Sequence, residues 1–364
     1  MIRHLLCGTS MILTTPSLAD PLTYANGSGG TASFYGQLNP AYITFDDGKK
    51  THASLSDSPA SNSRIGVFLE NPTSSGLLTF RFEAALGLPA SSAYSQNSNP
   101  VWEWDETKIR HVDVSYSGSF GKLSLGQGGM ASDGNSGADF SGTGLAQGTF
   151  RPDYTGGYFL RDAESDELSD VKISSIFNDY DGPRRTRIRY DTPDFNGLTF
   201  GVAWGRNLLS DTDDADYYDI GLSWNGESGG VKMAAGAGYL WKTDEGDTSE
   251  QYALSFALHH IDTGLTGRIA AGGAPDGGTY SYVKAGWKGV IWGAGQTALS
   301  ADYYSGKGFV SDGSRTTSWG VQAVQKINKA NLEAYLGYTS YSFDEKTTEY
   351  HDASSTNFGM RWKF

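Results

Sequence analysis

Residues 198–224 read LTFGVAWGRNLLSDTDDADYYDIGLSW and contain two segments in which hydrophobic residues recur at every second position. In residues 198–204 one face carries Leu, Phe, Val and Trp, while the other carries Thr, Gly and Ala. Residues 218–224 repeat this pattern after an Asp-rich connection. A period of two is typical of β-strands, whereas a helix repeats every 3.6 residues. The stretch therefore predicts two strands, each with one apolar face.

The same alternation extends over most of the chain and predicts an all-β fold. The predicted strands cover 31–45, 62–71, 77–88, 106–116, 122–130 and 184–192, followed by ten alternating segments between residues 198 and 364. These make sixteen antiparallel strands, an even number that returns the chain to the side on which it began. A barrel of that size encloses a lumen too wide for side chains to fill, so we expect the lumen to hold water.

The connections distinguish a membrane barrel from a soluble sandwich, which also buries one face of each strand. Short turns alternate along the chain with longer, Asp- and Ser-rich loops, as in barrels of the outer membrane. Aromatic residues near the strand ends predict the girdles that mark the borders of the hydrocarbon layer. The tryptophans of these girdles are Trp204, Trp224, Trp241, Trp292 and Trp362.

Composition excludes several functions. The chain has 41 Asp and Glu against 28 Lys and Arg, so it lacks the basic excess that binding to nucleic acid needs. No run of 18 apolar residues predicts a transmembrane helix. The histidines lie mid-strand or in loops, away from any Ser and carboxylate pattern of a hydrolase, so we expect no enzyme and no cofactor.

Residues 1–19 are predicted to be a cleaved signal peptide. Arg3 provides a basic start, a weak apolar segment follows, and Ser17-Leu18-Ala19 offers small residues at the cleavage site. The single cysteine, Cys7, lies within this segment, so the mature chain of residues 20–364 has no disulfide. We expect residues 20–364 to form one exported barrel domain.

A connection of 53 residues, 131–183, interrupts the strand pattern. Connections longer than about 15 residues without regular structure usually carry a function. This one holds ten Asp or Glu and three Lys or Arg, a net charge of −7. This connection is therefore a candidate for a functional loop in the lumen.

Four segments resemble the general diffusion porins of Gram-negative outer membranes. They are residues 63–67 (SRIGV), 110–128 (RHVDVSYSGSFGKLSLGQG), 189–197 (RYDTPDFNG) and the terminal FGMRWKF, in the family's order and spanning nearly the whole mature chain. The resemblance implies a sixteen-stranded barrel, usually a homotrimer, whose third loop folds inward and narrows the channel. It also implies that Phe364 belongs to the signal read by the barrel-assembly machinery. The implied location is the outer membrane, among lipid and lipopolysaccharide.

The resemblance and the alternation together predict a charged constriction. Arg64 and Arg110 match the family's arginine cluster, and the alternation around Ile188 turns three further arginines inward. The predicted basic wall is Arg64, Arg110, Arg185, Arg187 and Arg189, and the predicted acidic side is Asp139, Asp153, Asp162 and Glu164. Opposed charges across a narrow pore set up a transverse field that disfavours bulky apolar solutes. The alternative is that some arginines pair with loop acids and only fix the loop.

The expected function is passive diffusion of small hydrophilic solutes and ions, with a weak preference for cations. Gln37 stands where many relatives have lysine, which weakens the basic side. One alternative is a substrate-selective channel, for which Tyr282, Tyr304 and Tyr335 are the inward aromatic candidates. Another is a plugged barrel that serves adhesion.

A cluster of acids in one loop is interpreted as a solvated loop tip, and a structural calcium site is the alternative. Oxygen ligands attract Ca²⁺, although the spacing lacks the glycine and terminal Glu of an EF-hand. The residues are Asp211, Asp213, Asp214 and Asp216.

Overall fold

The computed structural model describes residues 22–364, so the predicted signal peptide and Cys7 lie outside the described range. The strands are β1 Leu22–Ala25, β2 Thr31–Leu38, β3 Pro40–Asp46, β4 Thr51–Asp57, β5 Arg64–Pro72, β6 Gly76–Ala85, β7 Ile109–Gly118, β8 Gly121–Gly129, β9 Phe159–Arg161, β10 Leu168–Lys172, β11 Arg184–Asp191, β12 Leu198–Arg206, β13 Asp216–Ser228, β14 Val231–Asp244, β15 Asp247–His260, β16 Leu265–Gly273, β17 Thr279–Trp292, β18 Gly295–Lys307, β19 Arg315–Ile327, β20 Leu332–Asp344 and β21 Ala353–Lys363. The helices are α1 Pro152–Thr155 and α2 Ile173–Ile176, with 3₁₀ turns at Pro59–Ser61, Ser91–Ala93, Glu106–Lys108 and Asn328–Ala330. Within residues 22–364, no helix combines the length and hydrophobicity needed to cross a membrane.

The predicted sixteen-stranded antiparallel barrel is confirmed. Nineteen strands share one sheet, which closes where β21 pairs with β2 and β3. Strands β2 and β3 form one interrupted wall strand, β4 and β5 form another, and β1 is an additional short strand paired with β2. The wall therefore has sixteen strands. Of the nineteen strands in the sheet, β1 is not part of the wall, and each of the two interrupted pairs counts as one wall strand.

The second wall strand differs from the prediction, which began at residue 62 and treated residues 46–61 as a loop. Residues Thr51–Asp57 form β4, and only residues 47–50 connect it to β3. The chain leaves the wall at Pro59–Ser61, where the side chain of Asp57 accepts hydrogen bonds from the backbone N–H and hydroxyl of Ser63. Small polar residues in β4 gave the segment little alternation in hydrophobicity, which is why the prediction missed it.

Side chains alternate between an apolar outer face and a polar inner face along the wall strands. On β21, Phe358 and Trp362 are 52% and 45% exposed, while Asn357 and Arg361 are 4% and 8% exposed. In a barrel that stands in lipid, the exposed apolar face contacts hydrocarbon and the polar face lines the interior. The fold therefore presents a membrane-facing exterior and a polar interior, as the alternation predicts.

The two rims of the barrel differ. We call the rim with the connections 73–75, 119–120, 192–197, 229–230, 261–264, 293–294 and 328–331 the turn end. The opposite rim, the loop end, carries the connections 47–50, 86–108, 130–183, 207–215, 245–246, 274–278, 308–314 and 345–352. The long connection 130–183 starts at the loop end and contains β9, β10, α1 and α2.

Candidate functional site

Residues 130–183, the inner loop, run inside the barrel and contact the wall from β13 to β21. The hydroxyl of Ser132 donates to Asp219 of β13 at 2.6 Å, and Lys284 of β17 donates to Asp139 at 3.1 Å. Asn357 of β21 donates to the loop backbone at 2.6 Å. The inward course of the third loop, predicted from the resemblance, is therefore confirmed.

A buried ion pair fixes the middle of the inner loop. Arg151, at the start of α1, makes a bidentate contact with Asp302 of β18, with guanidinium nitrogens 2.7 and 3.2 Å from the carboxylate oxygens. Both side chains are fully buried. Tyr282 and Gln322 donate to the same carboxylate, and Arg151 also donates to Ser318. Every charged atom of the pair has a partner, which is the condition under which a buried ion pair is tolerated.

Aromatic packing holds the second half of the inner loop against β15–β20. Phe177 packs edge-on against Tyr304, and Tyr280 stacks on Tyr304 with ring centroids 5.3 Å apart. Tyr282 and Tyr304 belong to this packing, and Tyr335 packs with Leu145 and Tyr154 in a separate cluster. These three aromatic side chains, which the sequence offered for a sugar-selective channel, are therefore covered and at most 3% exposed.

Inward glycines of β13 and β14 seat the start of the inner loop. A Cβ atom at Gly221 would overlap the carbonyl oxygen of Ala131, and one at Gly236 would lie 2.5 Å from the carbonyl oxygen of Asn135. Only glycine allows the loop backbone to approach the wall this closely. The glycines at inward positions of these strands were visible in the sequence and could have indicated that another part of the backbone packs against this wall.

We expect Gly221→Val to displace the start of the inner loop from the wall toward the lumen. Overpacking of this kind costs about 1–3 kcal/mol, and the displaced segment narrows the path, so single-channel conductance falls. Conductance in planar bilayers measures the effect. Gly267→Val is the matched control, since a Cβ there meets Leu258 at an ordinary 3.6 Å. Equal conductance of the Gly221 and Gly267 variants would contradict the proposed seat.

Three arginines of the wall converge on one buried carboxylate. Glu83 of β6 is contacted by Arg110 at 2.7 Å, Arg81 at 2.8 Å and Arg64 at 3.4 Å, and Tyr35 donates to it at 2.7 Å. The side chain of Glu83 is 2% exposed, while those of the arginines are 20–30% exposed. The cluster therefore presents a net charge of +2 to water, three arginines less one glutamate.

The remaining predicted arginines also have partners outside the inner loop. All three point inward, as the alternation predicts, and each pairs with a carboxylate of the wall or of the 207–215 connection. The pairs are Arg185 with Asp213 at 3.2 Å, Arg187 with Asp113 at 2.8 Å and Arg189 with Asp191 at 2.8 Å. Acids of the wall and of that connection, rather than the four predicted loop acids, thus hold the five predicted arginines in place.

The structure separates the four predicted loop acids into two groups. Asp139 lies inside the barrel, where Lys284 and Arg268 pair with it at 3.1 and 3.5 Å. Asp153 also lies inside, on α1, and borders a cavity of about 450 Å³ between the inner loop and the 86–108 connection.

Asp162 and Glu164 lie elsewhere, at the exposed tip of the β9–β10 hairpin. The backbone of Asp162 pairs with Tyr350, so this tip leans on the 345–352 connection at the loop end. The hairpin is tied to the rim by Arg161, which contacts Asp47 at 2.8 Å. The structure therefore does not bring Asp162 and Glu164 together with the arginines, because the hairpin carries them back to the rim.

Sequence reasoning missed four residues of the arrangement: Arg81, Glu83, Asp133 and Arg184. Arg81 and Glu83 alternate with Phe80 and Phe82 on β6, so the period of two could have placed them inward. Asp133 lies 4.0 Å from Arg184 at the entry of the inner loop, a contact that depends on the tertiary path. Among residues 22–364, Asp133 is the inner-loop acid whose carboxylate pairs with an arginine of β11.

Loop acids near the lumen have raised pKa values. Burial, with the neighbouring charge of Asp179, raises the pKa of Asp153 to about 7. Burial also raises the pKa of Asp181 to about 7, with contributions from Asp179 and Asp133. A low-dielectric surrounding disfavours the charged carboxylate, and nearby carboxylates add to the effect. These two groups therefore change charge near neutral pH.

The acids proposed for calcium are not gathered around one point. Asp213 pairs with Arg185 and Lys242, while Asp216 pairs with Arg206 at 2.7 Å. Among residues 22–364, no group of three or more Asp, Glu, His or Cys side chains is placed to hold a metal ion. Asp213 and Asp216 each pair with a different set of basic side chains.

The chain is similar to known porins in sequence and in fold. A sequence model described as "Gram-negative porin" matches residues 9–346, and no curated protein matches the chain. An anion-selective porin from Comamonas acidovorans is similar at a TM-score of 0.61 and 15% identity, over 92% of this chain and 100% of that one. The OmpT outer-membrane protein of Vibrio cholerae in its trimer form is similar at 0.56 and 16%, over 92% and 99%. OmpF of Salmonella typhi, in complex with daunomycin, is similar at 0.57 and 13%, over 94% and 100%.

Proposed function

The chain belongs to the Gram-negative porin family of outer-membrane β-barrel channels, and on that premise we propose that it passes small hydrophilic solutes and ions by diffusion, without catalysis. The observation that carries the proposal is the position of the inner loop. It is fixed to β13–β21 and leaves the arginine cluster around Glu83 partly exposed on the opposite wall. Solutes then pass between the loop and this wall.

Three observations favour a channel for general diffusion over a sugar-selective channel or a plugged barrel. The inward tyrosines lie beneath the inner loop, so they offer no aromatic track to a sugar. Arg64, Arg81, Arg110 and Arg184 are 20–37% exposed, so water reaches the basic wall. A further cavity of about 670 Å³ is bordered by the start of the inner loop and by the turn-end part of β12–β14. A loop that plugged the barrel would cover the arginines and fill this space.

We propose a weak preference for cations. All five predicted wall arginines pair with carboxylates outside the inner loop, which reduces their effect on passing ions. Within the described residues, no Lys or Arg lies within 4.0 Å of the carboxylates of Asp153, Asp179 or Asp181. Fixed negative charge in a narrow pore raises the local concentration of cations.

We also propose a homotrimer, in keeping with the trimer form of the similar Vibrio cholerae protein. The 86–108 connection carries an unusually apolar surface for a loop at the rim, because Val101 and Trp102 are 77% and 65% exposed. An exposed apolar patch of this kind marks an interaction surface. A neighbouring copy of the chain in the membrane would cover it.

The preference for cations is expected to increase as the pH rises through about 7, since Asp153 and Asp181 then become charged. The zero-current potential under a salt gradient, recorded in planar bilayers below and above this pH, measures the change. The double variant Asp153→Asn with Asp181→Asn is expected to remove the pH dependence. Because both pKa values lie above those of the unfolded chain, the same ionisation lowers the stability of the folded protein as the pH rises from about 4 to about 7.

The same recordings test the channel itself and the trimer. Conductance steps in groups of three support a trimeric open pore. A bilayer that stays silent with folded protein would refute the diffusion channel and favour a plugged barrel. Anion selectivity at all pH values would leave the channel intact and contradict the proposed cation preference.

A further inference from the structure

The cavity between the inner loop and the 86–108 connection carries charged groups of both signs, and we call it the rim cavity. Its volume of about 450 Å³ lies within the range of pockets that take small molecules. Asp153 and Lys172 of the inner loop line it, together with the serines Ser92, Ser98 and Ser174. Because the 86–108 connection belongs to the loop end, a solute that enters from that side meets this cavity.

Hydrogen bonds between its two walls hold the rim cavity open. The side-chain amide of Gln96 donates to the carbonyl oxygen of Phe159 at 2.8 Å and accepts from the N–H of the same residue at 3.0 Å. The hydroxyl of Ser91 donates to the backbone carbonyl oxygen of Asp153 at 3.0 Å. The 86–108 connection and the inner loop are thus joined on the two sides of α1, and the cavity exists before a solute arrives.

The carboxylate of Asp153 is the negative group of the rim cavity. Within residues 22–364 it accepts no hydrogen bond, and no nitrogen of a Lys, Arg or His side chain lies within 4.0 Å of it. The negative charge of Asp179 also acts on this carboxylate. A positive group in the cavity would offset the repulsion between the two acids, so this wall attracts an ammonium group.

Lys172 supplies the positive group. This exposed residue ends β10, and its ammonium group lies 5.0 Å from the ring centre of Phe159. In the part of the chain that the structure describes, no carboxylate oxygen lies within 4.0 Å of that ammonium group. The backbone beside it is fixed, because the N–H of Ser174 donates to the carbonyl oxygen of Gly156 at 3.1 Å. Lys172 and Asp153 are therefore two unpaired charges of opposite sign on one cavity.

Opposite charges that are too far apart to pair match a solute whose own charges are separated. Each residue of an extended chain spans about 3.3–3.6 Å, so the terminal ammonium and carboxylate of a dipeptide lie up to about 7 Å apart. The serine hydroxyls of the rim cavity can donate to and accept from a peptide group. Phe150 and Pro152 offer apolar surface to a side chain. A non-ionic solute would leave both charges of the cavity without a counter-charge.

We propose that the rim cavity binds the zwitterion of a short peptide, with the ammonium group of the peptide at Asp153 and its carboxylate at Lys172. The part that this site plays in transport rests on the diffusion channel proposed above. Weak binding at the loop end concentrates the peptide beside the path while still allowing it to leave. Dilute dipeptides therefore enter faster than uncharged solutes of the same size.

Equilibrium dialysis of radiolabelled glycyl-leucine against the folded protein in detergent, at about pH 7, measures the affinity. At this pH most of the α-amino group, whose pKa is about 7.7–8.0, is protonated. The N-acetyl form lacks the ammonium group, the amide form lacks the carboxylate, and the doubly blocked form lacks both. We expect the dipeptide to bind at least about tenfold more tightly than the doubly blocked form, with the two singly blocked forms in between.

Two substitutions assign the charges of the dipeptide to their partners. Asp153→Asn is expected to remove the advantage of the dipeptide over its N-acetyl form, and Lys172→Gln its advantage over the amide form. Each variant removes the partner of one blocked group, so the two losses do not add. Asp170→Asn is the matched control, since Asp170 is exposed on β10 and is not among the residues that line the cavity. Its affinity for the dipeptide is expected to match that of the parent.

Equal affinity of the parent protein for the dipeptide and for its doubly blocked form would overturn the binding site. An Asp153→Asn variant that keeps the full preference for the ammonium group would overturn it too. Conductance of the same protein in planar bilayers tests the diffusion channel separately. A protein that conducts but does not prefer the zwitterion refutes the site alone, while one that binds the zwitterion and stays silent in bilayers refutes the diffusion channel and supports the site.

Discussion

Asp302→Ala is expected to release the middle of the inner loop, lower the stability of the barrel and lower the mean single-channel conductance. The variant leaves the guanidinium of Arg151 fully buried without its counter-charge, and Tyr282 and Gln322 lose their acceptor. Breaking a buried ion pair by removing one partner costs about 3–5 kcal/mol. The loop avoids this cost by leaving the wall toward the lumen, where it narrows the path beside the arginine wall, so the current becomes smaller and noisier.

Thermal unfolding in detergent, followed by circular dichroism, measures the loss of stability, and planar bilayers measure the conductance. Asp216→Ala is the matched control because Asp216 also pairs with an arginine at 2.7 Å, although Arg206 is 52% exposed. An exposed pair contributes about 0–1 kcal/mol, so this variant stays close to the parent. Equal behaviour of the two variants would show that the Arg151–Asp302 pair does not hold the loop.

A double variant separates the charge from the packing. Arg151→Met combined with Asp302→Leu replaces the ion pair by apolar side chains of similar size. Such replacements of buried ion pairs are often neutral or stabilising. We expect the double variant to recover most of the stability that Asp302→Ala loses, and its conductance to return toward that of the parent.

Glu83→Gln is expected to shift the selectivity of the channel toward anions. The substitution keeps the shape of the side chain but removes the one carboxylate that Arg64, Arg81 and Arg110 share. At about 10 Å in water, one unit charge changes the energy of a passing ion by about 0.4 kcal/mol. Cations and anions respond in opposite directions, so the cation-to-anion ratio in dilute salt falls about fourfold.

The zero-current potential under a salt gradient measures this shift. Glu164→Gln makes the same change of charge at the exposed tip of the β9–β10 hairpin, away from the arginines, and serves as the control. We expect its selectivity to match that of the parent. A larger shift for Glu164→Gln than for Glu83→Gln would place the selective region at the rim instead of at the arginine cluster.

Much of the fold was predictable because strand alternation is a local property. The period of two identified the wall strands, and it turned Arg185, Arg187 and Arg189 inward on the correct face of β11. It failed at β4, where Ser, Ala and Thr give little contrast in hydrophobicity. The outer apolar face and the length of the third loop were likewise visible in the sequence.

The site was less predictable, because its contacts join residues far apart in the chain. Arg151 meets Asp302, Asp139 meets Lys284, and Asp133 meets Arg184 only once the loop has folded inward. Net charge assigned Asp162 and Glu164 to the same surface as Asp139, but the β9–β10 hairpin turns them back to the loop end. The charge composition of a loop does not determine the course that its backbone takes.

A sixteen-stranded barrel with an apolar exterior and a polar lumen thus followed from the order of residues along single strands, and the long acidic loop followed from the interruption of that pattern at residues 131–183. The carboxylates that pair with the arginines, and the loop acids that remain beside the lumen, could be identified from the folded chain alone. Those features depend on the side chains that closure of the barrel and the inward course of residues 130–183 bring within a few ångströms of one another.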